Sequence, residues 1–237
     1  MFFKVSEELF AKFPHFCVAV VVAEGISDQE SSSAEIEEML FSAVQKIHDT
    51  LKDSNLKERP EVAVWREAFR DLDINPNRFP SSIEALLKRI AKKPQFPSIN
   101  NVVNLVNAIG IKNMVPMGAH DLGKTKGDMQ IRFSREGDIF TPFGSSELEE
   151  VPPGEPVYAD DLEVRTRKWV WRQGEKAKIT PQSERIFFPI DGFKGITETN
   201  ILSARDELVE NLPKFFGGQI RTYWIDADSP QADLQTD

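Results

Sequence analysis

At 237 residues, 40% of them hydrophobic and 28% charged, the chain is long and apolar enough to bury a substantial core, as one large domain or two small ones. A net charge of −9 argues against a broad nucleic-acid-binding face, which needs clustered Lys and Arg, while screening over roughly 8 Å at physiological salt leaves room for a small local basic patch. The lone Cys17 can form no internal disulfide and has no CxxC or Cys/His neighbours, so a reducing, cytoplasmic setting with no metal and no cofactor is expected.

In chain order, the first strong signal is FCVAVVVA, residues 16–23. It falls well short of the ~20 residues that span a bilayer, and its β-branched valines suit a buried strand. Glu7 and Glu8 spoil the positive flank of a signal peptide. Ser32 followed by Glu35 has capping-box spacing, and Ile36, Leu40, Ala43, Val44 and Ile47 keep a helical period, which predicts an amphipathic helix over 33–52. Pro60 opens a second helix, and a third follows Ser81 or Ser82 and is closed by Pro94 and Pro97.

The fourth helix, within INNVVNLVNAIGIKNM, is unusual. At about 100° per residue, Asn100, Asn104 and Asn107 share a wedge of roughly 60°, with Asn101 beside it and Val102, Leu105, Val106 and Ile109 opposite. Asn is a poor helix former, and a solvated face normally carries Lys and Glu, of which residues 98–111 have none. Two readings stand: a solvated amide face, or buried amides that bond neighbouring backbone or line a polar pocket. Unpaired burial is excluded, at about 1 to 3 kcal/mol per group.

Gly118 to Thr125, GAHDLGKT, matches the phosphate-binding GxxxxGK[ST] loop literally. That loop needs a buried strand before it and a helix beginning at its Lys. NMVPM is a poor strand, and Gly127 with Asp128 leads into the strand-like MQIRF, so a nucleotide-triphosphate site is set aside. His120, on a glycine-flanked turn beside Asp121, is the better site candidate, whereas His15 and His48 sit among apolar or helical neighbours.

Beyond residue 126 short strands alternate with turns: MQIRFS, DIFTPF, PVYAD, LEVRTR, KWVWRQ and RIFFPI. On a KWVWRQ strand, Trp169, Trp171 and Gln173 face one way and Arg172 the other, a pattern that fits stacking on an unpaired base or, equally, a tryptophan pair packed on a helix. A helix kinked at Pro213 and a strand QIRTYWID close the chain, ahead of a tail over 226–237 expected to be acidic and disordered. Helices first and strands second give an α+β class.

The ordered series RFPSSIEALLKRI, FPSINNVVNLVNAI, VPMGAHDL, GDMQIRFSREGDIFTPFG, PPGEPVYAD and RKWVWRQ resembles the B3/B4 domain of the phenylalanyl-tRNA synthetase beta subunit, over roughly residues 60–225, with 1–59 as an N-terminal strand and helix of the same domain. The resemblance implies an editing pocket that hydrolyses the ester of mischarged tRNA, bordered by the helix of Asn101, Asn104 and Asn107 and by the MGAHD turn. The family's editing histidine falls on Gly118, its Asp on Asp121, and His120 takes a Phe position; Pro189 or Asp191 falls near the Glu that recognises the tyrosine hydroxyl. The synthetase's aminoacylation and anticodon-binding parts have no counterpart here.

The leading expectation is a trans-editing hydrolase of aminoacyl-tRNA. His120 and Asp121 are its catalytic candidates, Asn101, Asn104, Asn107 and Gly118 border the pocket, and Trp171, Arg172 and Gln173 contact the terminal nucleotides. The partners are then tRNA with an aminoacylated 3′ end and the amino acid, with no membrane and no DNA. The alternative is a non-catalytic module that holds a tRNA 3′ end, a nucleoside or a free amino acid.

Overall fold

The chain opens with an apolar strand, β1 (Phe2–Val5), and a short helix, α1 (Glu7–Lys12), capped by the Ser6 side chain accepting from the Leu9 amide. A computed structural model describes residues 1–28, 33–52 and 54–235. β2 (Phe16–Glu24) is the expected valine-rich strand, and α2 (Ser33–Leu51), α3 (Pro60–Asp71), α4 (Ser82–Lys92) and α5 (Asn101–Asn113) are the four expected helices. Ser81 caps α4 by accepting from the Glu84 amide. Ser32, the expected cap of α2, lies outside the described residues.

The second half supplies β3 (His120–Asp121), β4 (Met129–Phe133), β5 (Ile139–Phe140), β6 (Glu149–Glu150), β7 (Pro156–Ala159), β8 (Val164–Arg167), β9 (Arg172–Gln173) and β10 (Arg185–Phe193). α6 (Glu198–Phe216) runs through Pro213 and stops at Gly217, and β11 (Gln219–Ile225) and β12 (Gln231–Asp233) complete the order. This is the α+β architecture expected from the sequence.

The strands form two sheets. One has the order β12-β1-β4-β7-β8-β5-β6, with β9 on β8, and the other is β11-β2-β10-β3. In the smaller sheet β2 and β10 are antiparallel from Phe16↔Phe193 to Glu24↔Arg185. Both faces of β2 are buried, so it reads as a continuous apolar run. Phe16, Val18, Val20 and Val22 join the core shared with the larger sheet, while Cys17, Ala19, Val21 and Ala23 face the apolar sides of α5 and α6.

Two expectations are corrected. KWVWRQ is not a strand throughout: Lys168 and Trp169 take left-handed backbone (φ 47° and 64°) in the turn of a β8–β9 hairpin, with the Trp171 amide donating to the Arg167 carbonyl. The Glu155 carboxylate holds that turn, accepting from the Lys168 amide at 2.9 Å, Lys168 Nζ at 2.6 Å and Arg167 at 2.7 Å. Trp169 therefore leaves the face of Trp171 and enters the core, with its ring 4.8 Å from Phe16 and 5.3 Å from Trp65.

The tail, read from composition as disordered, instead forms β12 through Asp233, paired antiparallel with Phe2–Lys4. The carbonyls of Leu234 and Gln235 accept from the guanidinium groups of Arg185 and Arg221.

Trp169→Ala is expected to cost about 3 to 5 kcal/mol, the range for deleting a buried aromatic, whereas the half-buried Trp171→Ala should cost clearly less. Urea denaturation of the two variants measures the difference, and equal losses would contradict the core position of Trp169.

Candidate functional site

The amide-rich start of α5 mainly organises its own approach. Asn100 caps the helix, its side chain accepting from the Val103 amide at 2.9 Å. Asn104 is buried and bonds back to the entering chain, accepting from the Ile99 amide at 2.9 Å and donating to Ser98 Oγ at 2.8 Å. Asn101 donates to Asp28 at 2.7 Å. Asn107 differs: half-buried, it has no side-chain hydrogen bond to any described residue and faces a groove. Of the expected pocket amides the structure brings Asn107 to a cavity and uses Asn101 and Asn104 in the scaffold.

α5 ends at Met114 in left-handed backbone, and the chain turns to run along β10. The Asp191 amide donates to the Pro116 carbonyl at 3.1 Å, and the Gly118 amide to the Pro189 carbonyl at 3.0 Å. Pro189 has no N–H to return. β3 then pairs His120 with Phe187 and Asp121 with Ile186.

Alternation along this short strand sends the two candidate catalytic residues to opposite sides. Asp121 accepts from the Gly123 amide at 2.9 Å and from Ser183 Oγ at 2.7 Å, and pairs with Lys124 at 3.2 Å, fixing a 3₁₀ turn over Leu122–Lys124. It lines neither cavity described below. The same bonds explain why GAHDLGKT is no phosphate loop: no α-helix begins at Lys124, which also donates to the Lys178 carbonyl.

His120 turns inward between the two sheets. Its ring stacks on Tyr158 of β7, with centroids 5.6 Å apart at 22°, and lies near Phe187. Tyr158 Oη donates to Asp191 Oδ1 at 2.6 Å across the inter-sheet space. Beside Tyr158 a β-bulge shifts the β7–β8 register, so that Tyr158 opposes Thr166 while Ala159 opposes Val164.

These groups line a cavity of about 80 Å³ whose polar wall is His120, Tyr158, Thr166 and Asp191 and whose apolar wall includes Trp169 and Pro189. Trp171, Arg172 and Gln173 also line it. A second, larger groove of about 380 Å³ runs between α4, α5 and residues 117–119, with Phe96, Ile99, Val103, Asn107 and Phe143 on its walls.

Met117, Gly118 and Gln173 line both spaces, which therefore adjoin at this boundary, the neck. A Cβ at Gly118 would come within 3.3 Å of His120 Nε2 and Pro189 Cγ, so both side chains pack closely against the backbone at this boundary. Gln173 is held there by donating to the Ala119 carbonyl at 2.7 Å.

The inner cavity is built from groups that avoid charge. Burial holds the His120 imidazole far below its usual range, at about 3, with Arg165 adding to the effect. Burial likewise pushes the Asp191 carboxyl up to about 7, against the opposing hydrogen bond from Tyr158, and drives Tyr158 well above its ordinary value. The space can therefore take an uncharged group that donates or accepts hydrogen bonds.

Tyr158 was missed as a site residue in the sequence because all four residues of its strand are buried, which erases the alternation that would mark an inward side chain. Among the described residues there is no group of three or more His, Cys, Asp or Glu able to hold a metal, and no helix long and apolar enough to cross a membrane.

The family model described as B3/4 domain matches residues 64–208. Among solved structures, an N-terminal fragment of the phenylalanyl-tRNA synthetase beta-subunit from Pyrococcus horikoshii is similar, at 14% identity and a TM-score of 0.50. The alignment covers 92% of this chain and 50% of the fragment, so the chain spans about half the fragment's length, and the likeness is one of fold. No curated protein matches the sequence.

The two shifted groups act on stability with opposite signs. Asp191 holds a proton in the folded state that the unfolded chain releases, so its contribution falls as pH rises from about 3.8 to about 7. His120 stays unprotonated where the unfolded chain is protonated, so its contribution rises with pH from about 3 to about 6.5. Asp191→Asn should unmask the rising slope and His120→Gln the falling one, read as urea midpoints between pH 4 and pH 7. Identical profiles for the two variants would sink this assignment.

Proposed function

The chain belongs to the B3/4 domain family, and from that premise we propose that it binds the aminoacylated 3′ end of a tRNA and hydrolyses the ester when the amino acid is wrong. The observation that carries this reading is the pair of unlike spaces that adjoin at Gly118. The outer groove, with Phe96, Phe143 and Ile99, offers apolar and aromatic surface to the terminal adenosine. The inner cavity takes the amino-acid side chain, and its volume of about 80 Å³ selects for a small one.

The ester then lies in the neck. An aminoacyl ester is already activated, so positioning a water and stabilising the oxyanion suffices without a covalent nucleophile. Asn107, whose amide has no competing protein partner among the described residues, supplies a donor from the groove side. His120 Nε2 borders the neck, and the ring stays uncharged at neutral pH, so that nitrogen orients the attacking water by accepting from it in the Nδ1–H tautomer. Asp121 acts at one remove by fixing the 3₁₀ turn that follows β3, the strand that carries His120. Trp171, half-buried on Phe79, and the exposed Arg172 at the cavity rim contact the nucleotides that precede the adenosine.

A second reading, capture without hydrolysis, draws on the same depressed basicity of His120. A side chain so reluctant to accept a proton contributes little as a general base. One experiment separates the two: hydrolysis of a panel of correctly and wrongly charged aminoacyl-tRNAs, with filter binding on the same samples.

Release of one amino acid is the expected result. His120→Ala, which removes the group that positions the water, is expected to slow release by about 100-fold while binding is retained. Asn107→Ala should lose the equivalent of one hydrogen bond, about 1 kcal/mol or roughly 5-fold in kcat/KM. Binding without release by the wild type would establish the capture reading, and neither binding nor release would overturn both.

A further inference from the structure

α4 carries Lys88, Arg89 and Lys92 on its exposed side, and Lys93 follows at its C-cap. With Ala85 and Gln95 they line an open surface depression of about 530 Å³. In a chain of net charge −9 this stretch is locally cationic. Lys88 pairs with Glu84 at 2.7 Å, but that buried carboxylate already pairs with Arg66 at 2.6 Å, so one negative charge serves two cations. Arg89 lies over the Phe96 ring at 5.5 Å, and neither it nor Lys92 or Lys93 has a carboxylate partner among the described residues.

Cations in a last helical turn complement the helix dipole, which accounts for Arg89 and Lys92 individually. It does not account for a ridge that starts at Lys88, one residue before that turn, and continues past the helix end at Lys93. Arg89 and Phe96 tie the ridge to the proposed adenosine groove, since Arg89 lines both the depression and the groove. On the other side of residues 94–98 the character reverses: Glu37 of α2 accepts from Ser98 Oγ at 3.0 Å and borders a separate apolar hollow with Leu40 and Phe41. A polyanion leaving the groove is thus attracted along α4 and repelled from α2.

We infer that the ridge of Lys88, Arg89, Lys92 and Lys93 is a phosphate track for the single-stranded RNA that leads into the groove, an inference that rests on the proposed binding of a tRNA 3′ end. The ridge holds phosphates and the groove and neck hold the terminal aminoacyl-adenosine. Affinity for RNA and recognition of the ester are thereby assigned to separate surfaces.

The test compares the wild type, the double variant Lys92→Glu/Lys93→Glu and the conservative Lys92→Arg/Lys93→Arg on two probes. One is a minihelix RNA with an aminoacylated single-stranded 3′ end, bound over a range of salt concentrations. The other is the phosphate-free aminoacyl-adenosine carrying the same amino acid. Both lysines are exposed, so their replacement removes no packing, and circular dichroism checks that the variants fold.

The charge-reversed protein is expected to lose at least 10-fold in RNA affinity, with a log–log salt slope shallower by about 1.4 for two lost phosphate contacts. The arginine variant should match the wild type, and all three proteins should treat aminoacyl-adenosine alike. Unchanged RNA affinity and slope in the charge-reversed protein would overturn the track while leaving the proposed function standing. Wild type that ignores both probes would overturn that function and the track with it. Poly-aspartate binding is measured on the same proteins as a control: its loss in the charge-reversed protein with RNA binding intact would assign the ridge to an acidic protein partner and also overturn the proposal.

Discussion

The antiparallel pairing of β2 with β10, in register from Phe16 to Glu24, is the constraint on which the rest of the structure depends. β2 is covered on both faces, so its alternate side chains commit the two halves of the core to opposite sides of one sheet. β10 must then present its other edge to the chain that leaves α5. At Pro189 that edge can accept but not donate, so the contact with Gly118 is a single hydrogen bond and the regular ladder of β3 is confined to His120 and Asp121. The neck between the two cavities sits where this ladder thins.

Register also explains the chemical character of the inner cavity. Phe187, Pro189 and Asp191 share one face of β10, and that face looks toward the larger sheet. A carboxyl there must meet a partner from the opposite sheet, and Tyr158 supplies it at 2.6 Å. Desolvation then does to Asp191 and His120 what it does to any buried ionisable group, disfavouring the charged form of each. The result is a polar space in which charge is disfavoured, with Arg172 at its rim.

Much of this was legible in the sequence. The valine run of β2, the helical periods of α2 to α6 and the Ser81 cap follow from local patterning, which agrees with the tertiary structure in each case. The asparagine cluster was legible as something that had to be satisfied, but its division was not. Whether an amide meets the backbone of Ile99 or an open groove depends on where residues 96–100 lie, and helix periodicity does not encode that. The Trp169–Trp171 pattern misled because strand alternation assumes a strand, and two left-handed residues turned the chain between them. Asp121 and His120 were close in sequence and assigned to one site, yet adjacent residues of a strand point apart.

The short pairing of Gln231–Asp233 with Phe2–Lys4 has a consequence for colloidal behaviour. Without β12, the edge of the larger sheet would be β1, whose sequence FFKV is apolar and regular enough to template another strand. With it, the outermost strand is three residues long, largely polar and ended by a carboxylate, and the carbonyls of Leu234 and Gln235 just beyond it accept from Arg185 and Arg221. The C-terminal strand thus covers the apolar edge of β1 and leaves a short, largely polar edge in its place, the arrangement by which sheets avoid edge-to-edge pairing.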